Sequence, residues 1–106
     1  MTDMEPEKFS VVFLNTVPRV TSREQGRAAR SLLKNLVRLH GTIELSLGGI
    51  EAMTPSFADE CFGRLLEELG EAEFRRAVRF RGADPTTKTL INQVLRIRLG
   101  EMKNKG

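Results

Sequence analysis

The chain has 106 residues, 40% of them hydrophobic, and 17 Lys and Arg against 14 Asp and Glu give a net charge of +3. That size and apolar content suit one buried core; no run of 18 apolar residues could span a bilayer and the acidic start, Met1 to Lys8, has no apolar export segment, so a cytoplasmic protein with no membrane contact is expected. A single cysteine, Cys61, forbids an internal disulfide, and a single histidine, His40, leaves too few ligands for the usual His/Cys metal site, so no metal or other cofactor is expected.

Phe9 to Leu14 is short, β-branched and aromatic, the pattern of a mostly buried strand, and Pro18 breaks pairing after it. Thr21 and Ser22 precede Glu24 and Gln25 in two overlapping capping-box registers, which start a helix. Its stripe is Ala29, Leu32, Leu33, Leu36 and Val37, and after Leu39 and His40 Gly41 supplies the left-handed stop. Thr42 to Leu47 alternates, with Ile43, Leu45 and Leu47 on one face and Thr42, Glu44 and Ser46 on the other, so this strand has one wet side.

After Gly48-Gly49, Thr54 is a cap and Pro55 fits the first helical position. Ala58, Cys61, Phe62, Leu65, Leu66 and Leu69 form that helix's apolar face until Gly70, and Cys61 among them reads as a buried small hydrophobe. A short charged link leads to a third alternating strand, Ala77 to Arg81, and Asp84-Pro85 opens a last helix with Leu90, Ile91, Val94 and Leu95 inward. The order β, α, β, α, β, α predicts a single α/β sandwich with a small, mainly parallel sheet and right-handed crossovers. Glu44, Ser46, Arg79 and Arg81 mark a polar sheet side, so the helices are expected mainly on the other face. The domain is drawn at residues 9–99, between a flexible N-terminus at 1–8 and a flexible basic tail at 100–106.

Chemistry is sparse. Asp59 and Glu60 are neighbours that diverge by about 100° on a helix and cannot act together on one atom. Gly48-Gly49 lacks the spacing and Lys of a phosphate loop, and no nucleophile elbow is present, so no enzymatic activity is expected. Two surfaces stand out instead. The first is the turn Thr54-Pro55-Ser56-Phe57-Ala58-Asp59-Glu60, where Ser56 sits in a helix's first turn among free amides that favour a negative charge, and Phe57 falls at the rim of the apolar stripe as an exposed anchor. Thr54, Ser56, Phe57, Asp59 and Glu60 make a candidate partner-binding set, with Ser56 a candidate phosphorylation site. The second is a ridge of Arg23, Arg27, Arg30, Lys34 and Arg38 opposite the leucine stripe, which no acid on its own helix interrupts. It suits an acidic protein, a phosphate backbone or a merely solvated face.

Thr21-Ser22-Arg23 opening a helix, then an alternating strand, then Ser56-Phe57-Ala58-Asp59-Glu60, resembles the bacterial STAS-like domains of unknown function, which are similar to the STAS fold of anti-sigma factor antagonists. The resemblance covers roughly residues 9 to 99. It implies a regulatory protein-interaction module without enzyme activity, a partner such as a histidine-kinase-like ATPase or an anti-sigma-type factor, and Ser56 in the place of the serine that such a kinase phosphorylates. Nucleic-acid binding along the first-helix ridge is the alternative.

Overall fold

The computed structural model describes residues 9–13 and 19–105. Three parallel strands form the sheet: β1 (Phe9–Phe13), β3 (Thr42–Ser46) and β5 (Val78–Arg81), in the spatial order β1-β3-β5. A second, two-stranded parallel pair joins β2 (Arg19–Val20) to β4 (Ala52–Met53). Phe9 lies opposite Thr42 and Phe13 opposite Ser46, while Ile43 faces Val78 and Ser46 faces Arg81. Leu14 and Pro18, like the expected N-terminal segment at 1–8, lie outside the described residues.

Helix α1 (Arg23–His40) starts at Ser22, whose hydroxyl accepts from the Gln25 amide while the Gln25 side chain reaches back to the Ser22 amide. Of the two expected capping registers the chain uses this one. Gly41, at a φ of 82°, donates to the Val37 carbonyl and closes the helix. The chain from 55 to 69 is one helical rod in three parts: α2 (Pro55–Ala58), a π-helical turn (Asp59–Gly63) and α3 (Arg64–Leu69). Thr54 caps it, accepting from the Phe57 amide at 3.2 Å and donating to the Thr21 carbonyl at 2.8 Å.

The short charged link is a helix, α4 (Glu71–Ala77), which takes in Ala77, so the third strand starts at Val78. It is held by the pairs Glu71–Arg75 and Glu73–Arg76 and by burial of Phe74, forces too local for a hydrophobic period to reveal. Helix α5 (Pro85–Lys105) runs on through the segment expected as a flexible tail, because Glu101 pairs with Arg98 and Met102 packs against the core.

The core lies between sheet and helices. Leu33, Ile43, Leu45, Phe57, Phe62, Leu65 and Leu66 are its largest fully buried side chains, with Cys61 beside them. Ile43, Leu45 and Val78 face the helices, whereas Thr42, Glu44, Arg79 and Arg81 form the expected polar side, where Arg81 reaches Glu44 at 3.4 Å. Leu32, expected inside, is 49% exposed, because helix α1 turns its Leu33 and Val37 side to the sheet and leaves Leu32 on its flank.

Candidate functional site

Two glycines bring the helices unusually close. A Cβ on Gly26 of α1 would lie 2.9 Å from both the Phe57 carbonyl and the Glu60 Cβ, so α1 rests directly on the rod's backbone. A Cβ on Gly63 would meet Asp59 Oδ1 at 2.7 Å and Arg98 Nε at 3.4 Å, so glycine opens the path by which Arg98 of α5 reaches the rod. A glycine inside a helix is about 1 kcal/mol less favourable than alanine, which is the sequence signal that a packing demand stands at both places.

Charges fill the seam. Arg98 donates to Asp59 Oδ1 at 2.6 Å, and Arg23 reaches the same carboxylate at 3.4 Å from the other side. Glu60 is only 5% exposed and takes Arg30 at 3.0 Å and Arg23 at 3.2 Å, with Arg27 at 3.9 Å. Arg30 also donates to the Glu60 carbonyl at 2.9 Å, and Lys34 meets Glu68 at 3.3 Å. The basic ridge is therefore the cationic half of an interhelical ladder whose acids come from the rod. Arg38 is the ridge member with no acidic partner among the described residues. The outer rungs, Arg23 and Arg27, are more than half exposed and contribute little; the buried rungs, Arg30–Glu60 and Arg98–Asp59, fix how the helices dock.

These pairs correct two expectations at the turn. Phe57 is 1% exposed and packs edge-on against Phe62 at 6.1 Å, so it is a core residue and no surface anchor. Glu60 turns inward to the arginines and offers no charge to a partner. Thr54 is spent on the cap. Ser56 and Asp59 remain at the surface, half-buried, on the wall of a groove of about 290 Å³ between the rod and α5. Arg23, Arg98 and Ile97 line it too, and Ile97 is 62% exposed. Ser56 makes no side-chain hydrogen bond to any described residue. A smaller hollow of about 200 Å³ beside Phe80, Lys88 and Ile91 contains no member of the ladder. Arg98, Ile97, Gly26 and Gly63 are parts of this region that the sequence reading missed.

The electrostatics hold both carboxylates in their charged form. Burial pushes the Asp59 carboxyl up, but the hydrogen bond and charge of Arg98, with those of Arg23, outweigh it and hold the group below the usual carboxylate range. Glu60 follows the same balance, with burial opposed by Arg30 and Arg23. Both stay ionised near neutral pH and have no proton to give. Burial drives the Cys61 thiol up to about 12, which leaves it a hydrophobe and no nucleophile. Among the described residues no cluster of His, Cys, Asp or Glu could hold a metal ion, and no helix is long and apolar enough to cross a membrane.

The model of a family described as a STAS-like domain of unknown function matches residues 28–88, a stretch that takes in most of α1, strand β3, the whole rod and strand β5. No curated protein and no solved structure gives a match.

Proposed function

The chain belongs to the family of STAS-like domains of unknown function, and from that footing we propose that it is a non-enzymatic regulatory module that docks a protein partner in the groove between the rod and α5. Ser56 is its modification switch. The observation that carries this is the setting of Ser56: a half-buried hydroxyl with no hydrogen bond to any described residue, on a wall it shares with two guanidiniums that already grip Asp59. A phosphate there would add about −1.5 to −2 charges and compete with Asp59 for Arg23 and Arg98. Ile97 gives the partner an apolar contact at the mouth. The likeness to anti-sigma factor antagonists makes a histidine-kinase-like ATPase or an anti-sigma-type factor the partner class to try first.

Nucleic-acid binding along α1 loses its main support. Four of the five ridge cations are engaged by acids of the same molecule, so few are free to neutralise phosphates.

The test combines modification and binding. Intact mass of the chain isolated from its own cells should show a phosphate that Ser56→Ala removes. Titration against a histidine-kinase-like ATPase from the same cells should show at least about ten-fold weaker binding for Ile97→Asp and no change for Arg79→Glu on the far side of the sheet. Equal binding by all variants, with no phosphate on any of them, would contradict the proposal.

A further inference from the structure

On the opposite flank of α1 from the ion-pair ladder lies a surface with no charge. At about 100° per residue, Leu32, Leu36 and Leu39 share one side of α1, roughly opposite Arg23, Arg30 and Lys34, which face the rod. Leu32 is 49% and Leu39 75% exposed, with Leu36 half-buried between them. Their i, i+4, i+7 spacing is the ridge by which one helix packs against another. Since the rod occupies one side of α1 and the sheet lies beneath it, this flank points sideways, past the outer strand of the sheet.

That outer strand is β1. Its outer edge has no partner strand among the described residues, and its sequence, Phe-Ser-Val-Val-Phe, has none of the charges or prolines that usually guard an open edge. The other outer strand, β5, carries exposed Arg79 and Arg81. An edge with no partner strand among the described residues and an apolar helix flank on the same side are independent features, and one occupant satisfies both.

We propose that this side is the interface of a symmetric homodimer, in which β1 pairs antiparallel with β1 of a second copy and the two α1 helices pack along Leu32, Leu36 and Leu39. The spacing supports that occupant. Strands lie about 4.8 Å apart, and α1 packs on both β1 and β3, so in a continuous six-stranded sheet the two α1 helices become next neighbours across the two-fold axis. A two-fold axis sets each leucine row against its own copy, and the uncharged flank brings no like charges together. The groove at Ser56 lies on the other side of α1, so dimer formation leaves it open and this inference stands apart from the proposed function.

Sedimentation equilibrium of the full chain tests it. Wild type should approach twice the 11.9 kDa chain mass at micromolar concentration. Leu32→Glu with Leu39→Glu should raise the dissociation constant by about 100-fold or more while helicity by circular dichroism is retained, since both side chains are exposed in the single chain. Hydrogen exchange should find β1 amides slow in wild type and fast in the variant. As a second variant that disturbs the fold less, Leu39→Gln should weaken association in the same direction. A wild-type monomer at all concentrations, a dimer indifferent to these substitutions, or a dimer with unprotected β1 amides would overturn the proposal.

Discussion

Arg98 and Asp59 meet at 2.6 Å across the junction of α5 and the π-helical turn, and Arg98 extends the same fork toward Glu67 at 3.5 Å. One guanidinium thus ties the last helix to two turns of the rod that carries Ser56. Removing it by Arg98→Ala leaves Asp59 half-buried with the longer Arg23 contact alone, and a loss of about 1–3 kcal/mol in urea unfolding is expected. Arg98→Lys should restore only part of that, because an ammonium cannot span two carboxylates with a planar fork. Equal stability of all three proteins would mean that this contact does not dock α5.

The two helix glycines should respond unequally. At Gly26 an added methyl meets backbone and a Cβ, which cannot move out of the way, so Gly26→Ala should destabilise the fold by about 1–3 kcal/mol despite its better helix propensity. At Gly63 the nearest atom is the tip of Asp59, which can rotate. Gly63→Ala should therefore change stability less and act mainly by disturbing the Arg98 contact. Denaturant midpoints of the two variants decide the order, and a harmless Gly26→Ala would contradict the close approach of α1 to the rod.

Phe57→Ala should lose about 3–5 kcal/mol, as expected for a large side chain removed from a packed interior. Phe57→Leu should lose less than half of that. Thermal melts distinguish this from a surface role, for which both substitutions would be nearly neutral.

Stability should fall in acid. The folded-state pKa values of Asp59 and Glu60 lie below their ordinary values. The stabilisation from ionising them is thus fully present above the unfolded carboxylate range of about 4 and is lost as pH drops through the lower, folded values. Urea midpoints measured downward from about pH 5 should decline, and Asp59→Asn with Glu60→Gln should flatten that decline while lowering stability at neutral pH. Identical slopes for the variant and the wild type would contradict the pairing.

The three main strands, the caps at Ser22, Thr54 and Asp84, and the one-sided sheet were legible because each rests on a period or a local hydrogen bond within a few residues. The ladder was not. Its cations are spaced regularly along α1, but their acids lie about 30 residues later on another helix, and only the folded packing brings Glu60 and Glu68 to them. Phe57 was misplaced for a geometric reason: the π-helical turn that follows it has a wider repeat than an ordinary helix, so a uniform 100° wheel rotates Phe57 away from the stripe to which it belongs. Arg98 lies on a long helix where nothing near it in sequence signals Asp59.

A photo-crosslinking residue placed at Ile97, with the same residue at Arg79 as the control, tests the docking groove in living cells most directly. The account predicts a discrete adduct with another protein from position 97, weakened by Ser56→Glu and absent from position 79. No adduct at 97, or the same adduct from both positions, would contradict it.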